Sequence, residues 1–87
     1  MRILYSPKFA RQYKKLSLVL QREAEKKETL FRQNPFDSRL KTHKLSGALE
    51  GFYAFSISNT HRIIFDFAES DSHTARFYQV GTHDLYR

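Results

Sequence analysis

The chain has 87 residues, 40% of them apolar and 15% aromatic, with eight Phe, five Tyr and no Cys. That describes one domain, residues 1–87, with a real core, and it excludes disulfides, Cys-bound zinc and a separate cofactor domain. Lys and Arg number 15 against 9 Asp and Glu, and the excess is lopsided: residues 1–44 carry +8 and residues 45–87 carry −2. A basic pole of this kind attracts polyanions, with nucleic acid ahead of an anionic membrane surface or an acidic protein. No apolar stretch is long enough for a membrane span or a signal peptide, so a cytoplasmic protein is the expectation.

Residues 1–5 are short and apolar enough for a first strand. Ser6-Pro7 has the order of an N-cap and a first-turn proline, which opens a helix. Phe9, Tyr13, Leu16 and Leu20 recur at helical spacing as one apolar stripe, and Lys8, Arg11, Lys14 and Lys15 lie off it. Ala24 and Phe31 extend the stripe through a second, more charged segment. No Gly or Pro separates the two, so one bent helix and a helical hairpin around residues 16–19 both fit. Pro35 ends the helical part.

The period then changes to two. Leu49, Gly51, Tyr53, Phe55 and Ile57 alternate with Phe52, Ala54 and Ser56, while Ile63, Phe65 and Phe67 alternate with Arg62, Ile64 and Asp66. Residues 74–80 form a third β-rich run, and Ser58-Asn59-Thr60 and residues 69–72 supply turns. The predicted fold is α+β, in the order β-α-α-β-β-β: a small antiparallel sheet with a helical pair packed on one face. Both apolar sets are odd-numbered, so they share a face only if residues of equal parity pair. A turn centred on Asn59 achieves this and sets Ser56 opposite Arg62, on the face away from the helices.

Three groups of residues could carry chemistry. Arg62 is either an edge arginine paired with Asp66 or Glu50, or a phosphate clamp with fixed, always-charged donors. The run Gly81-Thr82-His83-Asp84-Leu85-Tyr86-Arg87 concentrates a proton-transfer group, a stacking ring and a phosphate binder, where a frayed tail would be the plain alternative. The loop Arg39-Leu40-Lys41-Thr42-His43-Lys44 is basic around a histidine, and His43 by itself reads as a solvated loop residue. His61 and His73 fall in or beside turns and read as surface. Four His with no Cys and no i,i+4 His pair give no metal signature, and no cofactor is expected. Cleavage of RNA by its own 2′-hydroxyl needs a base, a cation on the phosphorane and an acid for the leaving 5′-oxygen, and two His, an Arg and a Tyr could supply them.

The segments His43-Lys44-Leu45-Ser46-Gly47 leading to Gly51-Phe52, then His61-Arg62-Ile63-Ile64-Phe65, then Val80-Gly81-Thr82-His83-Asp84-Leu85-Tyr86 resemble a toxin of the RelE/ParE superfamily, in its RelE/StbE and YafQ-like neighbourhood. The resemblance implies a ribosome-dependent, metal-independent endoribonuclease that cuts mRNA in the decoding site. It also implies a cognate acidic antitoxin that silences the toxin, in a hetero-oligomer. His43 and His83 match YafQ-type catalytic histidines, Arg62 falls on the phosphate-stabilising arginine, and Tyr86 lies near the substrate-orienting aromatic. Ser56 and Thr60 stand where YafQ-like enzymes carry a further His and Asp. Lys41, Lys44, Arg39, Lys8, Arg11, Lys14, Lys15 and Arg87 are the expected RNA-binding cations. The alternatives are a non-catalytic, ParE-type inhibitor of DNA gyrase and an inactive basic module that binds RNA or an antitoxin.

Overall fold

The computed structural model describes residues 1–68, 71–82 and 84, with side chains for all of these except 71 and 72. Its elements are β1 (Arg2–Tyr5), α1 (Pro7–Lys14), α2 (Leu18–Gln33), β2 (His43–Lys44), β3 (Tyr53–Ser56), β4 (His61–Ala68) and β5 (Asp71–Thr82). Two short 3₁₀ turns, Ser38–Leu40 and Gly47–Leu49, flank β2.

Ser6 caps α1 as its sequence suggests. Its hydroxyl accepts from the Phe9 amide at 2.9 Å and donates to the Tyr78 carbonyl at 2.8 Å, so the cap also ties the helix to the sheet. The two helical segments are a hairpin. Ser17 caps α2 by accepting from the Leu20 amide at 3.2 Å, and an N-cap inside a continuous apolar stripe is a strong signal for a new start. The Gln21 amide donates to the Tyr13 and Leu16 carbonyls, each at 3.2 Å, satisfying orphan acceptors at the end of α1. Asn34, just before Pro35, is the extended C-cap of α2.

The sheet order is β1-β5-β4-β3-β2, with β1 parallel to β5 and every other pair antiparallel. The α+β arrangement is the expected one, and the two-residue strand β2 adds a fifth member at the β3 edge. Equal-parity pairing holds: Tyr53 faces Phe65, Phe55 faces Ile63, and Ser56 faces Arg62. Two boundaries differ from the alternation. Leu49 and Gly51 lie outside any strand, because Gly47 and Gly51 adopt φ of +66° and +94° and break the extension. Asp71 already belongs to β5, so His73 sits in a strand, exposed, rather than beside a turn.

The core lies between the helices and the odd-numbered face. Phe31 is fully buried at its centre, with ring centroids 5.0 Å from Phe55, 4.9 Å from Phe65 and 5.1 Å from Phe77. Three aromatic partners on three strands fix where α2 crosses the sheet, and each such pair adds about 0.5–1.5 kcal/mol beyond area burial. The opposite face is therefore the one presented by Arg62, Ile64, Ala54, Ser56 and, through its pairing with Ala54, His43.

Candidate functional site

Arg62 comes to the face away from the core by register alone. Asp66, two positions beyond it on that face with Ile64 between, is taken by Arg76, which lies directly across the β4–β5 ladder and grips both carboxylate oxygens at 2.8 Å. The surface ion pair considered for Arg62 therefore does not form, with Asp66 or with Glu50. The Arg62 Nη1 group instead donates to the Ser58 carbonyl at 3.0 Å and the His61 carbonyl at 3.1 Å. Two neutral acceptors hold the guanidinium in place without neutralising it. Its Nε and Nη2 donors have no acceptor among the described residues, and no described carboxylate pairs with it. A fixed fork with donors to spare is what a phosphate needs.

The turn that supplies those carbonyls is locked by its own hydroxyls. Ser58 Oγ accepts from the Thr60 amide at 3.2 Å and the His61 amide at 3.1 Å, and Thr60 Oγ1 lies 2.7 Å from His61 Nδ1. Thr60 thus serves the turn geometry that anchors Arg62.

Arg62 lines a cleft of about 170 Å³ together with Ser56, Ser58, Asn59, Lys27, Arg39 and Lys41. Four cations from α2, the 3₁₀ turn and β4 converge there. Lys27 is partly offset by Glu23, 3.8 Å away, and Arg39 is clamped to Asp37 by Nε at 3.0 Å and Nη2 at 2.9 Å. Hydrogen bonds from the Arg39 side chain and amide hold the Asp37 carboxyl down at about 2, so this carboxylate stays ionised at any working pH. Lys41 has φ of +55°, the left-handed region, and is the one described non-glycine residue there. Such backbone costs of order 1 kcal/mol or more and gathers at functional sites.

His43 follows two residues on. Its Nδ1 lies 3.1 Å from the Lys41 carbonyl, so in the neutral ring Nδ1 carries the hydrogen and Nε2 is the basic nitrogen. Pairing with Ala54 puts it on the same face as Arg62, two strands across and two residues offset along the sheet, about 12 Å at ordinary strand geometry.

Of the cations expected to bind RNA, the cleft gathers Arg39 and Lys41 beside Arg62. Lys44 lines a separate depression with Glu50 and Phe52, and Lys8, Arg11, Lys14 and Lys15 are exposed on or beside α1, away from the cleft. His83, Tyr86 and Arg87 lie outside the described residues. Sequence reasoning missed Lys27, Ser58 and Asn59. Lys27 looks like one more solvated helical lysine, and the only hint in the sequence is that Lys27 and Phe31 are four residues apart, on one side of α2.

Neither a protein-family model nor a curated protein sequence matches the chain. Its fold does match solved structures. YafQ from E. coli strain BL21(DE3) superposes with a TM-score of 0.72 at 22% identity, over 98% of this chain and 97% of that one. A YoeB/ParE toxin from Agrobacterium tumefaciens gives 0.79 at 15% identity, over 95% and 99%. A chain of the heterotetrameric YoeB–YefM toxin–antitoxin complex from Staphylococcus aureus gives 0.76 at 20%, over 95% and 97%. The likeness is one of fold, and it runs through both chains almost end to end.

Proposed function

We propose that this chain, which has the fold of the RelE/ParE-type toxins, is the toxin of a toxin–antitoxin pair and cleaves mRNA on the ribosome without a metal. The observation that carries the proposal is the cationic cleft, in which Arg62 is fixed by two backbone carbonyls and left unneutralised.

In this mechanism a phosphodiester sits against Arg62 and Lys41, with Lys27 and Arg39 around it. The 2′-hydroxyl gives up its proton and attacks the adjacent phosphorus, the P–O5′ bond breaks to leave a 2′,3′-cyclic phosphate and a 5′-oxygen that takes up a proton, and the Arg62 fork meets the charge that grows on the non-bridging oxygens. Preorganised donors of this kind act most strongly where charge develops. His43, with Nδ1–H on the Lys41 carbonyl, offers Nε2 as a proton acceptor for the 2′-hydroxyl or, once protonated, as a phosphate contact. His83 is the principal proton-transfer group, and it follows Gly81, the cross-strand partner of Arg62, by two residues in the sequence. Tyr86 orients the substrate. The exposed cations Lys8, Arg11, Lys14 and Lys15, with Lys44 and Arg87, dock the protein to ribosomal RNA by counterion release.

The partner is an acidic antitoxin drawn to the +8 half of the chain by long-range attraction. The S. aureus YoeB–YefM complex supports this reading through a shared fold. Adding purified protein to translating ribosomes and mapping mRNA 5′ ends tests the proposal. New ends within codons are expected. Intact mRNA with inhibited DNA supercoiling would replace the proposal with the gyrase-directed one, and intact mRNA with normal supercoiling would leave an inactive binding module.

A further inference from the structure

Ser56 is the last residue of β3 and stands directly opposite Arg62 on β4. The Ile57 amide donates to the His61 carbonyl at 3.0 Å, which leaves Ser56 and Arg62 as the adjoining pair without ladder hydrogen bonds. The Cβ atoms of such a pair stand about 4.5–5.5 Å apart on one face. Both residues line the cleft of about 170 Å³.

Ser56 is only 9% exposed, yet its hydroxyl makes no hydrogen bond to any described residue. The other described serines differ. Ser6, Ser17 and Ser58 each accept from backbone amides, while Ser38 and Ser46 are exposed to water. Among the described residues no enclosed side-chain oxygen or nitrogen lacks a partner, so the Ser56 oxygen still opens into the cleft that it lines. A hydroxyl that loses most of its water on folding and gains no bond is a net cost, and alanine would fill the same space without it. A ligand atom is the partner that would satisfy it.

The charge around it selects the ligand. Lys27, Arg39, Lys41 and Arg62 share the cleft, and Lys41 and Arg62 have no carboxylate partner among the described residues. We propose that Ser56 is a phosphate ligand, its hydroxyl donating to a non-bridging oxygen of the phosphodiester that Arg62 also holds. The proposal rests on the cleft being the RNA site. The two lysines attract the anion as point charges and give it no direction. The fixed Arg62 fork and a hydroxyl on the next strand do give it direction, because their donors meet its oxygens from two sides. Ser56 keeps its proton throughout, and the proton of the attacking 2′-hydroxyl goes elsewhere.

The test uses the full chain, labelled for NMR, and 2′-O-methyl ApA, a dinucleotide with one phosphodiester and no 2′-hydroxyl to attack it. The Arg62 Nε–H signal should shift saturably in the wild type, and Ser56→Ala should bind roughly three- to tenfold more weakly. Because the hydroxyl has no partner in the fold, Ser56→Ala should unfold in urea at or above the wild-type midpoint. On translating ribosomes the same variant should cut mRNA about 10- to 100-fold more slowly, the scale of one hydrogen bond to a charged acceptor. Undiminished binding by Ser56→Ala, a lowered midpoint, or no saturable shift in the wild type would each overturn the proposal. A wild type that binds the dinucleotide through Ser56 and leaves mRNA intact would overturn the ribonuclease reading and leave this one standing. Wild-type cutting by Ser56→Ala would do the reverse.

Discussion

Replacing Arg62 by Ala removes the fork on the phosphate and, at the same time, two bonds that brace the Ser58–His61 turn. These two effects differ enough in size to be separated. A hydrogen bond from a charged donor contributes about 1.5–3 kcal/mol net when buried, and here one Nη1 at a half-exposed site serves both carbonyls, so the fold should lose about 1–3 kcal/mol in all. A domain of about 5 kcal/mol, at the lower end of the usual range, would keep about 2 kcal/mol and remain about 97% folded at 25 °C. Unfolding therefore cannot account for more than a few per cent of lost activity. Loss of a preorganised donor to the transition state lowers turnover by about 10² to 10³-fold. Arg62→Lys should recover most of the stability and little of the rate, since one ammonium cannot brace two carbonyls and fork a phosphate together. The assays are primer extension on mRNA in a translating extract and a urea unfolding curve on the same preparations. An Arg62→Ala protein that cuts within about threefold of wild type, or whose midpoint shows it unfolded, would refute the reasoning.

Phe31→Ala should cost about 3–5 kcal/mol in urea unfolding, because the ring is fully buried against three others, whereas Leu18→Ala, at 69% exposure, should stay within about 0.5 kcal/mol. Burial and the hydrogen bond to Glu28 push the Tyr5 hydroxyl up to about 12. Its neutral form is the one the fold favours, so its contribution is complete below pH 10 and disappears as pH climbs from 10 to 12; ultraviolet titration should show one tyrosine ionising near 12 that Tyr5→Phe removes. His83→Ala should abolish most cleavage, His43→Ala should reduce it less, and Tyr86→Ala least. The wild-type pH–rate profile should show a limb near neutrality that His83→Ala lacks, and a flat profile would assign catalysis to Arg62 and the lysines alone.

Much of the framework is written locally. Ser6-Pro7 marks the first helix, Pro35 ends the second, and the parity of Phe55, Ile63 and Phe65 dictates a pairing that puts Ser56 opposite Arg62. Features that depend on distant partners are not written this way. That β1 lies beside β5 is decided by residues some 72 positions apart, such as Ile3 and Ala75. Strand β2 is two residues long and has no periodicity to read. The hairpin could have been recognised from Ser17, but Leu16 and Leu20 on either side continue one helical stripe and mask the break.

The site divides in the same way. Arg62 and Lys41 are visible as cations in informative places, and the structure brings both to one cleft. That Arg62 pairs with neither Asp66 nor Glu50 could not be read, because Asp66 shares its face and the competitor, Arg76, is set by the β4–β5 register. Lys27 enters the cleft only because Phe31, one turn further along, docks α2 onto the sheet through three aromatic rings.

The central claim is that the phosphodiester is broken by its own 2′-hydroxyl in the Arg62 cleft. The most direct measurement is the chemistry of the ends that the protein leaves on ribosome-bound mRNA, read by mass spectrometry. Attack by the 2′-hydroxyl predicts a 2′,3′-cyclic phosphate on the upstream fragment and a 5′-hydroxyl on the downstream one, both lost when the nucleotide at the cut carries a single 2′-deoxy substitution. A 3′-hydroxyl with a 5′-phosphate, or unchanged cutting of the deoxy-substituted message, would contradict it.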